Sequence, residues 1–346
     1  MDNATPAGAM RAFVVTAPGR ASVRTVPVPV PGPGEVLVEV ERAGVCGTDA
    51  EFFSGEMSYL HTGQAEYPMR LGHEWAGVVA TLGPDVDPSW LGRHVTGDTM
   101  LGCGRCARCV DGRQHLCADR YEIGIRRGWP GALAEYLPVP VRFLHPLPST
   151  VDAIAGALVE PGGNALRAVQ AAQVRPGERL LVLGPGTIGL LCALLAAAEG
   201  VEVHVLGREE PSLAFARRLG FASSWTAETL PPVPFDGVID ASGAPGLPAR
   251  AVELVEPGRR VVFIGIAGEP SPVDTRELVF KDVTAVGVLS GSAGLAGVID
   301  RFAAGVVDPR PLVAATVGLA EVAPVLAGTR RPEWGAAPKL HVDPKR

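Results

Sequence analysis

The chain has 346 residues, too many for one ordinary core, so two domains are expected. Hydrophobic residues at 47% and charged residues at 20% exclude a disordered or fibrous chain and fit a globular enzyme. A net charge of −6 offers no basic field to nucleic acid or to an anionic membrane surface.

The N-terminal stretch from Met1 to Phe13 has no charged-then-apolar leader layout, and the longest apolar run, Leu190 to Ala198, is too short to span a bilayer. A cytoplasmic location is expected. In that reducing setting clustered cysteines are read as metal ligands before disulfides.

Residues 11–40 alternate apolar and polar positions, with Pro27, Pro29, Pro31 and Pro33 between the runs. This predicts short antiparallel strands joined by stiff loops, and the pattern continues to about residue 148. Within it stand Cys46-Gly47-Thr48-Asp49 and His73-Glu74. Between them Phe53 to Met69 carries Tyr59, His61, Glu66 and Tyr67, and reads either as a wall of the substrate cleft or as a solvated loop.

Cys103, Cys106, Cys109 and Cys117 follow with spacing C-x2-C-x2-C-x7-C. Four thiolates in so short a loop can close a tetrahedral shell around Zn²⁺, and a closed shell means structure rather than catalysis. The alternatives are disulfides, which the reducing setting disfavours, and an iron–sulfur cluster, for which the proline after the last cysteine is missing.

After about residue 155 the pattern changes. Arg179–Leu183 reads as a buried strand, and Thr187 to Glu199 has helical spacing. Strand Val201–Leu206, helix Pro211–Leu219, strand Gly237–Asp240, helix Leu247–Leu254, and strands Arg260–Ile264 and Thr284–Val288 follow. This alternation predicts a doubly wound parallel sheet. The last stretch holds one predicted helix, Leu295–Ala304.

Gly184-Pro185-Gly186-Thr187-Ile188-Gly189 falls between a strand and a helix, where glycines let a backbone approach a pyrophosphate at the helix N-terminus. The end of the next strand reads Gly207-Arg208, with Gly207 at the position where an NAD enzyme carries an acid. The missing carboxylate and the guanidinium favour NADP over NAD, although Glu209 and Glu210 follow at once. Ser242 and Gly265 close later strands at the same edge, and Leu289 follows the last.

Taken together, GVCGTD, GHEWAGVV, the four-cysteine loop, GALAEYL, LVEPGGNA and VLGPGTIG resemble the zinc-containing medium-chain dehydrogenases and reductases over nearly the whole chain. The nearest branches are the polyol (sorbitol-type) and threonine dehydrogenases. The resemblance implies an α/β chain with a GroES-like β-rich catalytic domain over residues 1–155, whose structural zinc lobe spans about 98–120. A Rossmann nucleotide-binding domain over 156–292 follows, and 293–346 returns to the first domain. It implies two zinc ions per chain, one catalytic and one structural.

By the same resemblance Cys46, His73 and an acid hold the catalytic zinc, the acid being Glu160 or its exchange partner Glu74. Thr48 passes the alcohol proton, and Asp49 orients His73. Glu51 stands where many relatives carry a relay histidine, and Arg167 where relatives usually carry another histidine. Lys339 matches a basic residue placed near the cofactor.

The expected reaction is interconversion of a secondary alcohol, on a polyol, sugar or cyclitol, with its ketone, in a homodimer or homotetramer. Two other enzyme readings are a threonine-type amino-alcohol dehydrogenase and a dehydrogenase of an aminocyclitol or other specialised metabolite. For the threonine type, Arg167 or an arginine of the pair Arg126-Arg127 would bind the carboxylate. A non-catalytic nucleotide-binding relative is the remaining alternative.

Overall fold

The computed structural model describes residues 8–346; the first seven residues, part of the stretch read for a leader, lie outside them. Among the described residues no helix is long and apolar enough to cross a membrane.

The first half builds a sheet around the strands Glu35–Gly44 and Glu74–Leu82, which pair antiparallel. Their alternating valines and alanines face a core containing Phe13, Phe52, Trp75 and Leu137. His94–Gly97 and Leu144–Pro146 extend one side of the sheet. On the other side two late strands join it. Lys339–Asp343 pairs antiparallel with Glu35–Gly44, and Val313–Gly318 lies parallel to Lys339–Asp343. The C-terminal stretch thereby completes the sheet that the N-terminal half begins.

Between these parts lies a six-stranded parallel sheet. In spatial order its strands are Ser224–Trp225, Glu202–Leu206, Arg179–Leu183, Phe235–Asp240, Val255–Phe263 and Thr284–Gly287. In chain order this is 3-2-1-4-5-6, the doubly wound dinucleotide-binding arrangement. Its continuous apolar runs, such as Leu180-Leu181-Val182-Leu183, are buried on both faces, as a helix-covered parallel sheet requires.

Helices Thr187–Ala198, Glu210–Arg218, Leu247–Leu254 and Leu295–Ala303 fall where the periodicity places them. The strand predicted at Arg260–Ile264 begins earlier, at Val255. Elements that carry no sequence signal used above include strand Ser224–Trp225, helices Gly47–Ser54 and Val159–Ala172, and the late strands Val313–Gly318 and Lys339–Asp343.

Candidate active site

The strand Glu35–Gly44 ends beside Glu74, and helix Gly47–Ser54 starts immediately after it. Cys46 caps that helix and His73 precedes the neighbouring strand, so the two meet at one edge of the sheet. One ligand atom from each of Cys46, His73 and Glu74 lies within 4.8 Å of the others. A thiolate, an imidazole and a carboxylate this close form a set that suits Zn²⁺ with one position left open.

Asp49 is fully buried. Its Oδ2 accepts the Cys46 N–H at 2.9 Å and its Oδ1 the Gly72 N–H at 3.1 Å, tying together the two backbone segments that carry Cys46 and His73. His73 Nδ1 stands 3.6 Å from Asp49 Oδ1, within ion-pair reach but beyond a hydrogen bond. The expected orienting hydrogen bond therefore gives way to a longer charged contact and a backbone clamp. Burial alone would lower the His73 pKa, but Asp49 and then Cys46 outweigh it and hold the imidazole well above its ordinary range. With Nδ1 turned to Asp49, Nε2 is the nitrogen free for a metal.

Glu74 does not stand alone. Lys339 Nζ donates to both its oxygens, at 2.8 and 2.7 Å, and to the Val45 carbonyl at 2.9 Å. Lys339 is 3% exposed and sits within the metal-ligand cluster. This corrects the expectation that it meets the cofactor, because its three donors are already taken.

Glu160 opens helix Val159–Ala172 and is buried. It falls outside the Cys46–His73–Glu74 group, and its Oε1 accepts from Asn164 at 2.9 Å. Burial, followed by the charge of Glu74, raises its pKa to about 7 against the pull of His73 and Lys339.

Thr48 is half-buried in the first turn of helix Gly47–Ser54, and Glu51 lies one turn on, on the same face. Partial burial, with Glu56 nearby, raises the Glu51 pKa. Of the 53–69 stretch, His61 and Glu66 are exposed and Tyr67 donates to the Phe52 carbonyl. Tyr59 alone turns to a charged neighbour, Arg120, at 3.5 Å.

Sulfur atoms of Cys103, Cys106, Cys109 and Cys117 gather within 4.8 Å of one another, and all six cysteines are free. The Cys103–Cys109 and Cys106–Cys117 separations are 4.0 and 3.8 Å. A tetrahedron with Zn–S bonds of 2.3 Å has edges of about 3.8 Å. Backbone N–H groups of Arg105 and Cys106 pull the Cys103 thiol down to about 6, while burial and then its sulfur neighbours push Cys109 up to about 12. A divalent cation held between the four sulfurs would let all of them ionise together.

At the carboxyl edge of the parallel sheet a cleft of about 1200 Å³ opens. Gly184 turns at φ 98°, where a side chain would also meet Ser242. At Gly189 a Cβ would lie 1.9 Å from the Gly184 carbonyl, so helix and turn close there, whereas Gly186 faces open space at the helix N-terminus. This is a cradle shaped for a pyrophosphate.

Of the expected cofactor contacts, Gly184, Gly186, Gly207, Arg208 and Ser242 line the cleft, whereas Thr187, Ile188, Gly189, Gly265, Leu289 and Lys339 stand outside its lining. Sequence reasoning missed Thr226, Glu228, Arg330 and Arg331, which also line it. Thr226 follows a strand of two residues, too short to show a period, and the arginines arrive from the C-terminal stretch. Arg208 is exposed and paired with Glu209 at 2.9 Å. Arg167 donates to the Leu289 and Ser290 carbonyls and so fixes the loop after the last parallel strand.

Residues 32–149 match the alcohol dehydrogenase GroES-like domain, and residues 187–304 match the zinc-binding dehydrogenase family. L-threonine 3-dehydrogenase of Idiomarina loihiensis is 31% identical over 73% of this chain and 76% of its own. The 2-dehydro-3-deoxy-L-galactonate 5-dehydrogenase of Pseudoalteromonas atlantica is 31% identical over 85% of this chain and 87% of its own. A putative zinc-binding dehydrogenase from Sinorhizobium meliloti, bound to NADP, superposes with a TM-score of 0.88 at 29% identity, covering 97% of this chain and 100% of that one. Fold, site and relatives define a medium-chain oxidoreductase with a GroES-like and a Rossmann unit. The chain belongs to the zinc-type alcohol dehydrogenase superfamily, whose chemistry is the oxidoreduction of alcohols.

Proposed function

We propose that the chain is a zinc-dependent dehydrogenase that interconverts a secondary alcohol of a polyol, sugar or cyclitol with its ketone, using NADP in preference to NAD. The observation that carries this reading is the convergence of Cys46, His73 and Glu74 within 4.8 Å. When bound, zinc would polarise the reacting oxygen and the nicotinamide would accept or return a hydride.

The chain's own residues do the rest. Cys46 and His73 offer the thiolate and imidazole, and Glu74 or Glu160 the carboxylate. Asp49 holds the two segments in register and places a negative charge beside His73. Lys339 neutralises Glu74, which leaves Glu160 the carboxylate without a lysine partner. Thr48 takes the hydroxyl proton, and Glu51, one turn further, passes it outward. Its raised pKa suits a group that both accepts and releases a proton.

The four-cysteine loop would hold a structural zinc, its spacing and sulfur separations being the support. For the cofactor, Gly207 removes the acid that would repel a 2′-phosphate, and Arg208 stands beside it in the cleft. The proposed division is 1–155, 156–292 and 293–346, in a cytoplasmic homodimer or homotetramer.

The test combines metal analysis with initial rates on a panel of polyols, sugars and cyclitols with NADP and NAD. Two zinc ions per chain, turnover favouring NADP, and loss of one zinc together with turnover in Cys46→Ser are expected. Full turnover by Cys46→Ser would sink the reading. A threonine-type activity is the second reading, favoured by the Idiomarina relative. Arg167 serves it poorly because it is engaged with backbone carbonyls. L-Threonine in the same panel decides between the two.

A further inference from the structure

The turn after the four-cysteine loop rests directly on the catalytic segment. Ile123 N–H donates to the Thr99 carbonyl at 2.9 Å, and the Thr99 hydroxyl donates to the His73 carbonyl at 3.2 Å. Gly124, at φ 68°, lies so close to Gly72 that a Cβ there would come within 2.7 Å of the Gly72 oxygen. This turn carries three charged side chains inward. Glu122 is 2% exposed, and its Oε1 accepts from Arg120 Nε at 2.7 Å. Arg126 stands on its other side, but its Nη1 is 4.0 Å from the same oxygen, beyond a hydrogen bond.

The balance is therefore two guanidiniums against one carboxylate, and Arg120 has the carboxylate. Arg126 keeps 11% of its side chain exposed, while its Nε and Nη1 are enclosed without a hydrogen-bond partner. A guanidinium carries five donors in a planar fork that fits an oxyanion, and leaving them unpaired in a protein interior is costly. Tyr59, in the short helix Ser58–His61, brings its hydroxyl to the same cluster, where Arg120 donates to it at 3.5 Å and the Arg126 charge also acts on it.

We infer that Arg126, with Tyr59 beside it, forms a subsite for an oxyanion of the substrate, a carboxylate or a phosphate carried away from the reacting carbon. This rests on reading Cys46, His73 and Glu74 as the reacting centre. The preferred substrate is then an acidic polyol rather than a neutral one. Arg120 and Glu122 act as positioning residues that hold the turn and orient the free guanidinium.

The test uses zinc-loaded enzyme with hexitols, aldonates and hexitol phosphates, in wild type, Arg126→Ala and Arg126→Lys. The wild type should favour one acidic class over the neutral hexitols by about 100-fold in kcat/KM, the weight of one or two charged hydrogen bonds. Arg126→Ala should lower that ratio at least about tenfold through KM, with Arg126→Lys recovering part of it. Whether aldonate or phosphate gains tells the two oxyanions apart. Equal turnover of neutral and acidic substrates by the wild type, or an unchanged ratio in Arg126→Ala, overturns the subsite.

A separate arm titrates malonate and inorganic phosphate against intrinsic tryptophan fluorescence. Saturable binding of either that Arg126→Ala abolishes supports the subsite even where no alcohol is turned over, an outcome that would instead remove the catalytic reading. Binding of neither, or binding that Arg126→Ala leaves intact, overturns the subsite.

Discussion

Lys339 and Glu74 form an ion pair with side chains only 4% and 2% exposed. Removing one member of such a pair leaves a charge enclosed without compensation, at a cost of about 3–5 kcal/mol. Lys339→Met should lower unfolding stability by that order in denaturant titration, and Lys339→Met with Glu74→Gln should recover much of it. A Lys339→Met enzyme as stable as the wild type would show that the pair carries no such weight. A second residue-scale consequence concerns Gly207. A Cβ there would lie 2.8 Å from Pro185 Cγ and 3.0 Å from Leu213 Cδ2, so the glycine answers to the proline in the phosphate turn as well as to the cofactor. Gly207→Asp alone should weaken NADPH and NADH alike, by about 1–3 kcal/mol of overpacking. Only with Pro185→Gly should the acid reach a ribose and favour NADH in a fluorescence titration. A clean switch to NADH by Gly207→Asp alone would refute the coupling.

The four-cysteine loop concentrates an element-scale prediction. Its helical pieces are no longer than four residues, and hydrogen bonds such as Arg108 to the Leu116 carbonyl and Arg142 to the Gly102 carbonyl hold it besides, so a bound ion should add much of its order. Zinc binding contributes roughly 10–16 kcal/mol to the folding of small zinc peptides. Cys109→Ser should bind one zinc per chain fewer by elemental analysis, and limited proteolysis should cut between residues 98 and 120. Retention of full zinc and of protease resistance would count against a structural ion. This loop was legible from spacing alone, as was the glycine turn, because both depend on residues close in sequence. Helix Val159–Ala172 was not. Gly162 and Gly163 weaken its helix propensity, and a Cβ would meet Val298 at 3.1 Å on the first and the Gly291 carbonyl at 2.7 Å on the second. They are small because other segments pack against them, a tertiary fact that no local pattern carries. The partner of Glu74 was hidden for the same reason, since Lys339 lies 265 residues away; Arg126 was a named carboxylate candidate, but that its Nε and Nη1 have no partner was not legible.

The whole chain closes on itself through its last strand. Lys339–Asp343 joins the sheet begun by Glu35–Gly44, with His341 opposite Gly44. His341 is wholly buried and neither ring nitrogen has a partner. Burial, then the charges of Lys339 and Arg42, lowers its pKa to about 3, so the folded protein holds it neutral. An unfolded chain would protonate it near its ordinary 6.5. The folded pKa lies below the unfolded one, so the stability from a neutral His341 is complete above about pH 6.5 and falls away as pH drops toward about 3. Each unit in that window costs about 1.4 kcal/mol, so acidification from pH 7 to 5 should remove about 2 kcal/mol through this residue. His341→Leu cannot take up the proton and should show a flatter stability profile between pH 7 and 5 in denaturant titrations. Because the strand stitches the C-terminal stretch to the first sheet, hydrogen exchange at pH 5 should rise first in Lys339–Asp343 and its neighbour Val313–Gly318. Parallel profiles for wild type and His341→Leu would mean that the imidazole is not what makes this closure acid-sensitive.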